Sequence, residues 1–247
     1  LGFGMNLYES LQSGKDGMLF TIVSVIGVLA LGFWLGRRML MDSKTSYLIS
    51  SGTAICGGSA IAAVASIIDA NANQMSVSLG TIFILNAIAL FIFPPIGKLL
   101  QLTQEQFGLW AAIAIHDTSS VVGAGAAYGD KALEVATMVK LTRALWIIPL
   151  AFATTFFFKQ KDAKVKIPWF ILFFILAMVA NTIFNLPKSL TSFLVLLSKK
   201  GMTITLFLIG SGLSLKVLKS VGVRPMALGI TLWIFIGIIS LGVIMLI

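Results

Sequence analysis

The stretch that decides the fold of this chain reads FGLWAAIAIHDTSSVVGAGAAY, at residues 107–128. Its length and its apolar ends suit a helix in a bilayer, which about 20 apolar residues can span. Its middle, IHDTSS at residues 115–120, is polar and contains two ionisable side chains, His116 and Asp117. Backbone that leaves the helical conformation at membrane depth is tolerated only inside protein or beside a water-filled cavity. The sequence therefore predicts a helix that is interrupted at a protected polar centre.

A second stretch has the same design. Residues 47–70 read YLISSGTAICGGSAIAAVASIIDA, and the small and polar residues AICGGSA at 54–60 interrupt the apolar run. Discontinuous helices of this kind form the substrate and ion sites of many secondary transporters. Each interrupted segment either crosses the membrane or re-enters as a hairpin. The choice stays open, because it moves only the loop that holds Lys98 to the other side.

The bulk composition indicates a membrane protein. Of the 247 residues, 58% are hydrophobic and only 11% are charged, and the mean hydropathy is +1.01. A soluble domain carries about 25% charged residues, because it needs a solvated surface. The net charge of +9 comes from basic clusters beside apolar runs. This is the positive-inside pattern of cytoplasmic loops and not the pattern of a nucleic-acid-binding stripe.

The single cysteine and the single histidine limit metal and redox chemistry. Cys56 has no partner in the chain for a disulfide, and His116 alone makes no histidine-rich metal site. We therefore predict no metal ligands, no catalytic residues and no cofactor. Only a coupling ion, H⁺ or Na⁺, is expected to accompany the substrate.

Hydropathy predicts further spans outside the two interrupted segments. They lie at residues 17–36, 77–100, 132–158, 167–186 and 226–247, and a short one at 202–215 follows an apolar piece at 190–197 and a break at Lys199-Lys200-Gly201. The chain is thus predicted to be an all-α, multi-pass membrane protein with one transmembrane domain over residues 1–247. Because it opens at Leu1 within an apolar, glycine-containing stretch, we expect its natural beginning to be missing, and the family resemblance described below implies that this beginning holds further spans.

A short internal repeat predicts an inverted architecture. The pattern G-x-G-[ML]-[NS]-L occurs at residues 2–7 and again at residues 210–215, and each copy precedes a short polar loop and a span. Counting the spans between the copies places them in opposite orientations, as in inverted-repeat transporters.

The polar centre of the first stretch supplies most of the candidate site. Ionisable residues inside a membrane segment cost roughly 2.5–3.5 kcal/mol each on insertion scales, and so they mark a pathway or a partner. We predict that His116 and Asp117 couple transport to protons, and that His116, Ser119 and Ser120 contact the substrate. Capping of a half-helix by Asp117 is the plainer alternative, and it is compatible with an anion site at the same helix end.

The other candidates come from the second interruption and from a later span. Cys56, Gly57, Gly58 and Ser59 are predicted to form the opposite half of the substrate site, although small-residue helix packing explains them equally well. A nucleophilic role for Cys56 is not favoured. Two cations, Lys140 and Arg143, share a helical face in the following span. They are either an oxyanion-binding face or side chains that snorkel to the interface, and they join the substrate-site prediction.

Several of these stretches together resemble a known family. Residues 52–63, residues 108–117, residues 139–143 and the second repeat copy are similar to the YeiH-like sulfate exporter family of bacterial membrane proteins. The resemblance covers essentially the whole chain. It implies an inner-membrane protein with a fold akin to the bile-acid and arsenite transporters, and export of sulfate, a related sulfur oxyanion or a sulfonate. One departure is Asp117, where the family pattern has glutamate.

The leading hypothesis is therefore a secondary transporter, most simply an exporter, of a small anion. It is not an enzyme; its partners are the anion and the bilayer and not nucleic acid, and homo-oligomerisation stays open. One alternative is a cation/proton antiporter that uses Asp117. Another is an intramembrane hydrolase that uses Ser59 or Ser119 with His116, although the usual hydrolase and phosphate-binding motifs are missing from the sequence.

Overall fold

A computed structural model of the protein describes residue 3 and residues 7–158, 169–184, 186–212 and 221–246. These ranges contain helices and no strand, as predicted. The helices are α1 Leu7–Arg38, α2 Ser43–Ala54, α3 Gly58–Ile67, α4 Ala72–Leu99, α5 Gln104–Ala114, α6 Thr118–Tyr128, α7 Asp130–Ala144, α8 Ile147–Phe158, α9 Trp169–Phe184, α10 Lys188–Gly212 and α11 Val223–Ile244.

The first interrupted segment is a re-entrant hairpin. Its two arms, α2 and α3, have 12 and 10 residues, so each is about 15–18 Å long and reaches only to the middle of a bilayer. The Lys44 ammonium at the start of the hairpin donates to the carbonyl oxygen of Asp69 at its end, at 2.6 Å. The Gln74 side-chain amide also donates to the Asp42 carboxylate at 2.8 Å. Both ends of this segment, hairpin 1, therefore lie at the same face.

The second interrupted segment, α5 and α6, has the same form and is called hairpin 2. The Tyr128 hydroxyl at its end donates to the carbonyl oxygen of Leu102 before its start, at 2.6 Å. The Gln104 side chain accepts from the backbone N–H of Lys131 at 3.0 Å, and the rings of Phe107 and Tyr128 stack with centroids 3.8 Å apart. The question that the sequence left open is settled in favour of re-entry for both segments.

The 28-residue helix α4 separates the two hairpins. At 1.5 Å per residue it is about 42 Å long, enough to cross the bilayer completely. It begins beside the ends of hairpin 1 and leads into hairpin 2, so the two hairpins enter from opposite faces. Four described segments are long and apolar enough to span a membrane, judged by length and composition: Phe20–Arg38, Ala72–Leu99, Asp130–Phe158 and Val223–Ile244.

Two predicted boundaries differ from the structure. The break expected at Lys199-Lys200-Gly201 is wrong, because α10 runs through it as one helix. Lysine has a good helix propensity, and a single glycine costs only about 1 kcal/mol, so neither is enough to end a helix. The predicted span at residues 132–158 is confirmed as the candidate span Asp130–Phe158, but its helix is divided into α7 and α8 around Leu145 and Trp146. Pro149 explains the division, because it has no N–H to donate to the turn before it.

The repeat motif is only partly within the described residues. All but residues 3 and 7 of the first copy, and residues 213–215 of the second, lie outside them. The inverted repeat therefore stays a prediction.

Re-entry of hairpin 1 predicts a labelling pattern for single cysteines in a Cys56→Ser background. Ser43→Cys and Asn73→Cys, at the two ends of hairpin 1, should react with a membrane-impermeant maleimide added to one face of oriented vesicles. Lys98→Cys and Lys131→Cys, around hairpin 2, should react only from the other face. Labelling of Ser43→Cys and Asn73→Cys from opposite faces would mean that the segment crosses the bilayer.

Candidate functional site

The tips of the two hairpins meet inside the protein. The tip of hairpin 1 is residues 55–57, the tip of hairpin 2 is residues 115–117, and we call the two together the tip junction. A Cβ atom placed on Gly57 would lie 3.5 Å from both the Cβ and the backbone nitrogen of Asp117. Gly57 has φ of 66° and ψ of −121°, a conformation that is essentially restricted to glycine. Glycine therefore allows both the turn and the close approach of the second hairpin.

Arg143 binds the end of the first hairpin's entering arm. Its Nε and Nη2 atoms both donate to the carbonyl oxygen of Ala54, the last residue of α2, at 2.9 and 2.6 Å. Its Nη1 atom reaches the carbonyl oxygen of Ile113 in α5 at 3.4 Å. One guanidinium, which is almost completely buried, thus joins the two hairpins.

Lys140 serves the second hairpin in the same way. Its ammonium donates to the carbonyl oxygens of Ile115 at 2.6 Å and Ala112 at 3.2 Å, at the end of α5. The side chain is fully buried. It also interacts electrostatically with Arg143, Asp117 and Cys56. Both cations come from one face of α7, as their i, i+3 spacing predicts.

The positions of these cations follow from helix electrostatics. The C-terminal end of a helix presents carbonyl groups without intrahelical partners and carries about half a negative charge. Hairpin 1 and hairpin 2 each bury such an end, and each receives one cation from α7. Snorkelling to the interface does not describe Lys140 and Arg143, because both are buried at the tip junction. Their first partners are backbone carbonyls, which leave further N–H groups on both side chains.

Asp117 caps the N-terminal end of α6. Its carboxylate accepts from the backbone N–H of Ser120 at 2.9 Å and from the Ser120 hydroxyl at 2.5 Å. Capping, the plainer interpretation of Asp117, is therefore observed. Of the predicted substrate contacts, Ser120 is buried and bonded to Asp117, whereas Ser119 is half-buried.

The N-terminal end of α3 has no charged cap. Gly57 occupies the cap position without a side chain to accept a hydrogen bond. The buried Cys56 thiol interacts with the Ala60 N–H and the Ser59 hydroxyl, and electrostatically with Lys140 and Arg143. Gly58 begins the helix and is half-buried, and Ser59 is exposed. Cys56 thus lies in the apolar core and interacts electrostatically with both cations.

His116 and Asn86 bring unpaired polar atoms to the tip junction. His116 is fully buried, and within the described part of the chain neither of its ring nitrogens has a hydrogen-bond partner. Its backbone N–H donates to Oδ1 of Asn86 at 3.0 Å, but the Nδ2 atom of Asn86 finds no described acceptor. Asn86 is not among the site residues that the sequence analysis predicts. The sequence signal that could have identified Asn86 as a site residue was its side-chain amide in the middle of an otherwise apolar span.

A family model described as conserved hypothetical protein 698 matches residues 1–229. The chain belongs to this family. It is 62% identical over 243 residues to a UPF0324 membrane protein of Bacteroides thetaiotaomicron, and the match covers 98% of this chain and 74% of the relative. It is 59% identical over 252 residues to a UPF0324 membrane protein of Porphyromonas gingivalis, with 100% and 76% covered.

A third relative, a UPF0324 membrane protein of Photobacterium profundum, is 50% identical over 246 residues, with 100% of this chain and 76% of the relative covered. No solved structure matches the chain. The relatives are named as membrane proteins, which confirms the expectation of a membrane protein. Their names state no substrate or activity.

The close approach at Gly57 predicts a large effect of a single methyl group. Gly57→Ala should lower the free energy of unfolding by about 1–3 kcal/mol, because alanine is strained at this φ and ψ and its Cβ would lie 3.2 Å from Ile82. The control is Gly27→Ala in α1, where an added Cβ meets nothing within 4 Å. Denaturant unfolding in detergent, followed by tryptophan fluorescence, measures both. Equal stability of the two variants would contradict this account of the tip junction.

We predict that Arg143→Gln lowers the stability of the protein, because it leaves a buried carbonyl oxygen without its hydrogen-bond donor. A buried acceptor without its partner costs about 1–3 kcal/mol, so the free energy of unfolding should fall by about that amount. Thr142→Ala is the neighbouring control, because the Thr142 hydroxyl bonds only within α7, to the carbonyl oxygen of Met138. If Arg143→Gln unfolds no earlier than Thr142→Ala, Arg143 does not stabilise the ends of the hairpins.

Proposed function

We propose that this protein is a secondary transporter of a small anion, which binds at the tip junction. The observation that carries the proposal is the meeting of two re-entrant hairpins, from opposite faces, around buried positive charge. Lys140 interacts with the carboxylate of Asp117, which already neutralises the N-terminal end of α6, and no described carboxylate pairs with Arg143. The uncapped N-terminal end of α3 adds further positive potential. An anion is the ligand that this arrangement favours.

The two hairpins also suit alternating access. Their entering arms, α2 and α5, are almost completely buried beyond their first turns. Their returning arms are partly accessible through small side chains, at Ser59, Ala62 and Ser66 on α3 and at Ala126 and Ala127 on α6. Because α3 leads to one face and α6 to the other, these exposed side chains lie on opposite sides of the tip junction. Irregular backbone of this kind at mid-membrane depth is a feature of transporter binding sites.

The finer assignments rest on the sequence. The resemblance to sulfate exporters suggests sulfate, a related sulfur oxyanion or a sulfonate as the anion, and export as the direction. Basic residues at the end of α1 and at the start of α2, and Arg224 beside the end of α1, suggest that this face is cytoplasmic in the inner membrane. His116 with Asp117 would couple the anion to protons. No cofactor takes part in this proposal.

The other candidates receive less support from the geometry. Asp117 is bonded to Ser120, so a cation/proton antiporter would have to use an occupied carboxylate that also interacts with Lys140. Neither ring nitrogen of His116 bonds a described serine hydroxyl, and so the hydrolase alternative lacks its nucleophile and base pair.

Thermal unfolding of the full-length protein in detergent tests this proposal. We expect sulfate, thiosulfate, a sulfonate or a carboxylate to raise the unfolding midpoint with saturation, since a ligand of the folded state stabilises it by RT ln(1 + [L]/Kd). Arg143→Lys should reduce the response, because lysine keeps the charge but not the two bonds to Ala54. A response to sodium or to pH alone, without any anion, would favour the cation antiporter.

A further inference from the structure

We infer that Asn86 and His116 form the part of the site that holds the anion's oxygen atoms, and that His116 takes up one proton when the anion binds. The inference rests on the proposed anion transport and deepens it. Asn86 is a recognition residue in α4, outside both hairpins. The ligand that these residues favour is an anion whose oxygens carry no proton.

The side chain of Asn86 has two separate tasks. Its Oδ1 atom accepts the backbone N–H of His116 at 3.0 Å and so fixes the tip of hairpin 2 to α4. Its Nδ2 atom is held by this bond at the tip junction, because it belongs to the same planar amide. Asn86 is only 2% exposed, and Nδ2 has no acceptor among the described residues. A buried amide donor of this kind is costly in a membrane interior unless a ligand accepts from it.

His116 presents the second pair of unpaired atoms. A neutral imidazole has one N–H donor and one nitrogen acceptor, whereas the protonated ring has two donors. Asn86 adds two amide N–H donors, and the spare N–H groups of Lys140 and Arg143 are donors too. The unprotonated nitrogen of the neutral ring is thus the one acceptor among these unpaired groups of His116, Asn86, Lys140 and Arg143. When the ring is protonated, every one of these groups donates, and the set is complementary to an anion whose oxygens only accept.

The neighbouring charges link protonation to anion binding. Lys140 and Arg143 on α7 interact electrostatically with His116. Asp117 follows it in the chain and is committed to α6, and Cys56 faces the same two cations from hairpin 1. A third positive charge at His116 is opposed by these cations, and a bound anion offsets that repulsion. Binding of an acceptor-only anion such as sulfate therefore draws one proton onto the ring.

Two substitutions of Asn86 separate recognition from positioning. Asn86→Asp keeps an oxygen for the His116 N–H, and Asn86→Leu introduces no charge, so the two share only the loss of the amide N–H₂ group. With sulfate as the probe, both should raise the concentration for half-maximal thermal stabilisation about tenfold or more, since a hydrogen bond to a charged group is lost. Asn71→Asp is the matched control, because Asn71 is an exposed helix cap that aspartate replaces well.

The proton is tested with His116→Gln, which donates and accepts but does not titrate. In the wild type, the half-maximal sulfate concentration should rise with pH, by up to about tenfold per unit, because binding takes up a proton. In His116→Gln this dependence should disappear while some sulfate response remains. A slope that persists would assign the proton to Asp117, Lys140 or Cys56 and would overturn the inference for His116.

The outcomes distinguish this inference from the proposed function. If sulfate stabilises the wild type and both Asn86 variants at the same concentrations, the recognition role is wrong and anion binding stands. A second outcome is that Asn86→Leu lowers the unfolding midpoint measured without sulfate and leaves the half-maximal sulfate concentration unchanged. That result assigns Asn86 to positioning alone and also overturns the inference. If no anion of the panel stabilises the wild type, the proposed function itself fails.

Discussion

The structure depends on the binding of two buried cations from α7 to the carbonyl ends of two broken helices. A helix that stops inside a bilayer leaves carbonyl groups that neither water nor lipid can satisfy. Arg143 satisfies the end of α2 and Lys140 the end of α5, and the Arg143 guanidinium also reaches α5. These bonds give the carbonyl ends of both hairpins the donors that they would otherwise lack. Because α7 begins where hairpin 2 ends, Lys140 and Arg143 lie about 15–20 Å along it, at the depth where the hairpins end.

The four helix ends at the tip junction are not compensated equally, and this inequality connects the fold to the function. Two C-terminal ends receive a cation each, and the N-terminal end of α6 receives Asp117. The N-terminal end of α3 receives only a thiol and a glycine. The positive charge that keeps the hairpins in place therefore exceeds the negative charge beside it. In the proposed anion transporter, the same electrostatics would serve both the folding of the hairpins and the selection of anions over cations.

Helix α4 is the scaffold that brings the hairpins together. Ile82 lies beside Gly57 of hairpin 1, and Asn86, one turn further along, bonds the backbone of His116 in hairpin 2. Both tips are thus aligned on one rigid element that crosses the whole bilayer. The Oδ1 atom of Asn86 is used by the bond to the His116 N–H, and its unpaired Nδ2 atom is the donor that the inferred recognition of the anion uses.

The sequence by itself determined that the chain is a helical membrane protein, where most spans lie, where two helices break, and which ionisable residues lie between them. These are local properties, because hydropathy and helix-breaking residues act within about one span length. Only the tertiary structure decided that both segments re-enter, since this depends on contacts such as Lys44 with Asp69 between residues 25 positions apart. It also decided that Lys140 and Arg143 bind helix ends first, and that Asn86 belongs to the site. Such partners lie on separate helices, and no local pattern specifies which helix ends become neighbours when apolar spans pack.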